Sequence, residues 1–354
     1  MGLAPLVGHQ ATRAQLNHAI SAGTLPQVLL ITGAPGIGKQ RLALWLAQRL
    51  MCSAPTDDPC GKCAGCLKVL GLAHPDVHWF VPVPRPKAGE PEKQAEEVAE
   101  SLEEVMAARR ASPLWVAPDG MAMHGIASAR LVQRQASLTS VEGGWRFFLI
   151  GRAERLVPQE SSQEAANALL KLLEEPPLRS LFVLTTAEPG LVLPTIRSRA
   201  IPIRLGRIAD EEVREFLAAV KPDLATDAVV KSARGSIGAA LGATDAGREK
   251  ARSAAREFLS AVGNGTAAAT ERALRQGPWQ ARGDFTAMLD ALADVLAADA
   301  RRGLTASRGA TIEPAAALAA VEKVLATREQ AQGNVNPQLL LAVLADELAL
   351  LTAA

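Results

Sequence analysis

The residues of this chain best suited to chemistry are Gly33-Ala34-Pro35-Gly36-Ile37-Gly38-Lys39-Gln40. They follow a short apolar run, Val28 to Thr32, and open a helical pattern from Arg41 to Leu50. A strand, a glycine-rich turn and a helix start, in that order, aim backbone N–H groups at an anion, and a lysine adds a point charge. Gly33, Gly36, Gly38 and Lys39 fit the GxxxxGK part of the P-loop pattern, whose last position is Ser or Thr to hold Mg²⁺. Here that position is Gln40, whose longer amide does not sit where the hydroxyl would. The alternative is a plain glycine turn. Hydrolysis also needs a carboxylate at the end of a neighbouring strand, with a second acid beside it. The strand pattern Trp145 to Ile150 runs on into Gly151-Arg152-Ala153-Glu154, so both acidic positions are occupied by other residues. Glu154 lies beyond these two positions, with three residues between it and the strand end, and is expected to point elsewhere. The loop therefore predicts a nucleotide-type cradle for ATP or ADP, with weak or no hydrolysis.

All four cysteines fall between positions 52 and 66: Cys52, Cys60, Cys63 and Cys66. CxxC steps bring pairs of thiolates to one tetrahedral ion, and Gly61 and Gly65 are expected to permit the tight turns this needs. Cys52 ends the helix that follows the glycine loop, which would pin the module to it. Two disulfides or four free thiols are the alternatives, and a cytosolic chain argues against the disulfides. Four thiolates around zinc leave no open position, so such a site is structural.

The surrounding elements must position these groups. The chain has 354 residues, a formal net charge of +1, no Tyr and 3% aromatic residues. That length allows two or three domains, and the charge balance announces no nucleic-acid or membrane surface. No apolar run approaches the ~20 residues of a membrane span, and the first ten residues lack a signal-peptide pattern, so a cytoplasmic location is expected. Strand patterns at Val77–Val83, Trp145–Ile150, Leu181–Thr185 and Ala200–Leu205 alternate with helical patterns, including Ser161 to Leu173. They predict an α/β domain of roughly 200 residues with a parallel sheet, in which the Trp145–Ile150 strand meets the glycine loop. The charged stretch Glu90 to Arg110 reads as a solvated helix or a partly disordered segment. Ser112 to Gly125 is irregular. Arg130 and Arg134 lie four apart on a helical pattern, as phosphate contacts or ordinary surface charge. Two or three short helices are expected from Asp210 to Ala243. Helices follow from Asp245, ending after Gly333-Asn334-Val335-Asn336-Pro337 in an apolar helix, Gln338 to Leu351, either core or an oligomer contact.

Several segments together resemble the delta-prime subunits of bacterial DNA polymerase III clamp loaders, relatives of tau/gamma and of replication factor C. They are Leu6-Val7-Gly8-His9, the Gly33–Lys39 loop, the four cysteines, Ala166-Asn167-Ala168-Leu169-Leu170-Lys171-Leu172-Leu173-Glu174-Glu175-Pro176-Pro177, Thr195-Ile196-Arg197-Ser198-Arg199, Gly235-Ser236 and Asn334-Val335-Asn336-Pro337. The resemblance implies an α/β P-loop (AAA+) domain over residues 1–205, with a zinc module at 52–66 and an insertion at about 84–125. A helical lid at 206–243 and an all-α collar at 244–354 would follow. It implies tau/gamma and delta subunits as partners, and the sliding clamp and primed DNA through the complex. It makes Arg199 an arginine finger offered to a neighbour's γ-phosphate, and Thr186 the sensor position of the fourth core strand. The Cys that usually follows the finger is Ala200, and the lid position where active subunits carry Arg is Gly238. These departures favour a stator that completes a neighbour's site. The rivals are a tau/gamma-type motor that hydrolyses ATP itself, a small-molecule P-loop kinase, and a zinc-dependent DNA-binding protein.

Overall fold

Apolar runs bounded by glycine and proline become five strands in the computed structural model, which describes residues 3, 6–87, 89–111, 122–156, 164–242, 246–276, 282–305, 313–331 and 336–352. In chain order the elements are α1 (Gln10–Ser21), β1 (Val28–Thr32), α2 (Lys39–Met51), α3 (Ala64–Leu70), β2 (Val77–Phe80), α4 (Pro91–Ala111), α5 (Ile126–Ser137) and β3 (Arg146–Gly151). They continue through α6 (Glu164–Glu174), β4 (Ser180–Thr186), α7 (Pro194–Arg197), β5 (Ile201–Arg204), α8 (Asp210–Val220), α9 (Asp227–Ala233) and α10 (Ile237–Leu241). The described residues divide into two compact units between residues 243 and 244. The second unit consists of α11 (Ala246–Gly263), α12 (Thr266–Leu274), α13 (Arg282–Thr305), α14 (Pro314–Gln330) and α15 (Pro337–Thr352).

The sheet is wholly parallel in the order β2-β3-β4-β1-β5. Every residue of β3 and β4 is buried, as continuous apolar runs covered on both faces require. Phe148 and Phe182 stack at 4.7 Å across these two strands. The strand after the insertion, β3, does not pair with β1; β4 stands between them. Loops at the C-terminal strand ends still converge, because all five strands point the same way. The glycine loop follows β1, Gly151 ends β3 and Thr186 ends β4.

The charged stretch forms a continuous helix, α4, of 21 residues. Most of its charges face solvent, but Val98 and Arg109 are buried, so one of its cations is part of the interior. Arg130 and Arg134 are exposed on α5. Residues 206–242 carry three short helices around their own small core, which includes Val213, Leu217, Leu224 and Val230. In α15 Leu341 and Leu344 are buried while Leu339, Val343 and Leu350 are exposed, so this helix serves its own core and also presents an apolar stripe. The expected irregular stretch at 112–121, the start of the helical pattern at 161–163, and Gly333, Asn334 and Val335 lie outside the described residues.

Candidate nucleotide loop and cysteine centre

The glycine loop holds the bend its sequence predicts, with positive φ at Gly33, Gly36 and Gly38, where side chains are strained. Its carbonyls are capped one after another. Lys39 Nζ donates to Gly33 O and Ala34 O, both at 2.8 Å. Ser236 Oγ donates to Pro35 O at 2.9 Å, and Gly238 N donates to Gly36 O at 2.9 Å. His9 Nε2 lies 2.7 Å from Ile37 O and must donate there, since a carbonyl only accepts. The helix carrying Ser236 and Gly238 thus rests directly on the loop. A Cβ built on Gly238 would lie 2.7 Å from Gly36 Cα, so only glycine fits this close approach.

Lys39 is largely withdrawn from water, and burial pulls its pKa down to about 8 against the opposing charge of Glu154. Glu154 therefore does not point away from the loop as the sequence suggested. Arg152 adopts a left-handed conformation with φ 58°, which turns the chain into the short 3₁₀ segment Ala153–Leu156 and brings the carboxylate into the field of the lysine. The Glu154 side chain is 10% exposed, and Arg152 Nε lies 3.7 Å from its Oε1. Its other oxygen, Oε2, is buried without a hydrogen-bond partner among the described residues.

The two positions expected to hold a metal are filled by the chain itself. The Gln40 amide lies against the bare Cα of Gly151, where any Cβ would overlap Gln40 Nε2 and come within 3.2 Å of its Cδ. The Gly151 carbonyl is taken by His124 Nε2 at 2.7 Å. His124 is fully enclosed, and burial drives its pKa down to about 4, so it is neutral and donates from Nε2. On the other side of Gln40, Arg109 Nη1 stands 3.3 Å from Oε1. The Arg109 guanidinium also stacks over Trp79, 3.8 Å from the ring centroid, and burial lowers its pKa to about 9. Neither His124 nor Arg109 was legible as part of this site, because both come from the insertion. Thr186 is buried at the end of β4, and its Oγ1 accepts from Glu188 N at 2.9 Å.

Arg199 sits just beyond α7 with its side chain 30% exposed. Its Nε donates to Glu174 Oε1 at 2.7 Å, its Nη2 contacts the same oxygen, and its Nη1 donates to Thr195 O at 2.8 Å. The Asn-Ala-Leu-Leu-Lys run and the Ser-Arg step, distant in sequence, therefore meet through Glu174 and Arg199.

The four cysteines converge. Cys52 caps the C-terminus of α2, Cys63 caps the N-terminus of α3, and all four sulfurs lie within 4.8 Å of one another as free thiols. A tetrahedral site with Zn–S bonds of ~2.3 Å places its sulfurs about 3.8 Å apart, and Cys63 Sγ to Cys52 Sγ is 3.9 Å. Backbone N–H groups support the sulfurs: Cys60 N to Cys52, Cys63 N to Cys60 and Cys66 N to Cys63, at 3.4–3.5 Å. N–H donation from Cys66 and Ser53 pulls the Cys63 thiol down to about 5, whereas burial pushes the Cys66 thiol up. This donor set fits a soft metal ion, and paired disulfides are not formed. Gly61 makes a turn with φ 69°. Gly65 does not: its Cα packs on the Met51 carbonyl, where a Cβ would collide, and this contact docks α3 on the end of α2.

Among known proteins, the family profile described as "DNA polymerase III, delta subunit" matches residues 8–209. The DNA polymerase III subunit gamma/tau of Mycobacterium bovis is 29% identical over 205 residues, 57% of this chain and 28% of that protein. The subunit delta' of Bacillus subtilis is 28% identical over 184 residues, 52% of this chain and 43% of that protein. The subunit delta' of Escherichia coli is 30% identical over 179 residues, 50% of this chain and 42% of that protein. In each case the match spans less than half the length of the relative.

Proposed function

We propose, for a chain that belongs to the DNA polymerase III delta subunit family, that it is a stator of the replicative clamp loader. In this role it hydrolyses no ATP itself and supplies Arg199 to the ATP site of a neighbouring tau/gamma-type subunit. With tau/gamma and delta subunits it would help load the sliding clamp on primed DNA in the cytoplasm. One observation carries this reading: Gln40 and Gly151, the two positions that should grip a metal, press on each other, whereas Arg199 stays accessible at the surface. Gly238 on the lid supports it too, since no cation from that position reaches the loop. Residues 1–205 would be the AAA+ domain, 206–243 the lid and 244–354 the collar. Thr186 keeps the sensor position, but its hydroxyl is engaged by its own chain.

The chemistry follows from charge. Phosphoryl transfer spreads negative charge over the γ-phosphoryl oxygens, and a guanidinium supplied in trans stabilises it by ~10³–10⁵ in rate, roughly 4–7 kcal/mol. Arg199 is held at rest by one carboxylate oxygen, the Thr195 carbonyl and the Ser198 hydroxyl. An exposed pair of this kind is worth about 0–1 kcal/mol, so leaving it for a phosphate costs little. The cysteines would hold one structural zinc that ties the residues after α2 to that helix.

The test is Arg199→Ala in the reconstituted complex. The variant should fold and assemble normally while DNA- and clamp-stimulated ATP turnover falls; unchanged turnover removes the finger. The motor reading draws on the gamma/tau similarity and requires brisk Mg²⁺-dependent hydrolysis by the isolated chain. That result would displace the stator.

A further inference from the structure

We propose that α1 couples the cysteine centre to the glycine loop and to the helices of residues 206–242, so that metal held by the cysteines sets how firmly both are fixed. The inference rests on reading Cys52, Cys60, Cys63 and Cys66 as a metal centre, and it is independent of any role for Arg199.

Cys52 and Cys60 close the loop of residues 53–59. Residues 53–58 are all exposed, so the loop has no core of its own. Its place depends on its tied ends and on the two helices it touches. Each helix brings to it a pair of side chains four apart in sequence, which lie on one helical face. From α1, Arg13 Nη2 contacts Asp58 Oδ1 and Asn17 Nδ2 donates to Asp57 O. From α2, Trp45 Nε1 donates to the same Asp58 oxygen at 2.7 Å, and Arg49 Nε donates to Asn17 Oδ1 at 2.9 Å. The Arg13 guanidinium stands 5.4 Å from the centroid of the Trp45 ring. Two ligands on one ion hold the ends of this loop together. Without the ion, a weak N–H to sulfur contact, Cys60 N to Cys52 Sγ at 3.4 Å, bridges them.

The start of α1 grips the other two parts. His9 Nε2 donates to Ile37 O of the glycine loop at 2.7 Å, and Gln10 Nε2 donates to Glu212 Oε1 on α8 at 2.7 Å. Between these contacts and the cysteine loop the helix is thinly anchored. Its buried residues are Leu16 and Asn17, and Asn17 is itself a contact to the cysteine loop. The helix α2 also runs from the glycine loop to Cys52, but every residue from Leu42 to Gln48 is buried, so the core holds it whether or not its end is tied. A helix with few buried apolar contacts and specific bonds at both ends loosens when one end is released. A stator works by keeping its shape, and α1 makes that shape conditional on the metal.

The test is hydrogen exchange on the full chain, zinc-loaded and after chelation under reducing conditions, with zinc content assayed first. The reporter amides are Arg13 N, bonded to His9 O, and Gly238 N, bonded to Gly36 O, both at 2.9 Å. Chelation should speed exchange at both by at least ~threefold while β3 and β4 stay within ~twofold. Asn17→Ala/Asp58→Ala cuts α1 from the cysteine loop. It should produce the same rise with zinc bound, and chelation should then add less than ~twofold. Asp58→Asn, which removes the charge and keeps the shape, is the second variant should the pair not fold, and it should speed the same amides by at least ~twofold. Reporters of a zinc-binding wild type that ignore chelation, a full chelation response that persists in the variants, or a rise spread equally over β3 and β4 would overturn the coupling and leave the metal centre standing. A chain that binds no zinc would overturn both.

Discussion

Gly238→Ala is the substitution that most directly tests whether the lid is locked to the loop. The alanine Cβ would meet Gly36 Cα at 2.7 Å and its carbonyl oxygen at 3.4 Å. The nearest obstacle is backbone, so it cannot rotate away, and the α10 end of the lid must lift. Lifting stretches two hydrogen bonds, Gly238 N to Gly36 O and Ser236 Oγ to Pro35 O, each 2.9 Å long. Each is worth about 0.5–1.5 kcal/mol net, a loss of roughly 1–3 kcal/mol. Alanine returns up to ~1 kcal/mol through helix propensity, because Gly238 lies inside α10. The steric term decides the sign, and the net destabilisation is about 1–2 kcal/mol. For a unit of this size that is a fall in melting temperature of about 2–8 °C, with faster hydrogen exchange confined to residues 206–242 and the loop. Gly206→Ala is the control: nothing lies within 4 Å of its added Cβ, and its effect should stay within about 0.5 kcal/mol. Equal melting of the two variants, or a more stable Gly238→Ala, would refute the idea that this glycine exists for close contact.

Metal analysis of the purified chain should return one zinc per molecule, and Cys66→Ser should lower that content and the melting temperature together; a metal-free wild type with unchanged stability would defeat the zinc assignment. His124 should make stability pH-dependent. Its folded pKa, about 4, lies below the ordinary value near 6.5, so the unfolded chain binds the extra proton. Its contribution is full above pH ~6.5 and is lost as pH falls towards 4, about 3 kcal/mol in all. His124→Gln should flatten that part of the wild-type profile, and parallel pH profiles for the two proteins would argue against a neutral buried imidazole. Glu174→Gln should change the stability of the isolated chain by no more than about 1 kcal/mol and leave complex turnover far above that of Arg199→Ala; equal collapse of the two would make the carboxylate part of the working geometry.

Much of the site could be read from residue order because its parts are local. The glycine loop, its lysine and the two CxxC steps each act over a few positions, so spacing alone reveals them. The strands were legible for a related reason: Phe147-Phe148-Leu149-Ile150 and Leu181-Phe182-Val183-Leu184 are buried on both faces and admit no polar break. What escaped were features that depend on a turn or on distant segments meeting. Glu154 reaches the lysine field only because Arg152 takes a left-handed conformation, which residue type does not announce. Arg109 looked like one more charge on a solvated helix, and only the placement of Trp79 on the edge strand shows why it is buried. Gly65 resembled a turn residue but serves a contact with the Met51 carbonyl. Strand order was also hidden, since pattern gives direction and burial but not which neighbour intervenes.

The pressing of Gln40 on Gly151 also bears on how this lineage can change. An acid introduced at 151 alone obliges the Gln40 amide to swing aside, and a hydroxyl introduced at 40 alone gives up the volume that amide fills. Each step alone disturbs the packing of that contact. The two positions are therefore coupled, and selection acting one substitution at a time works against their contact at either.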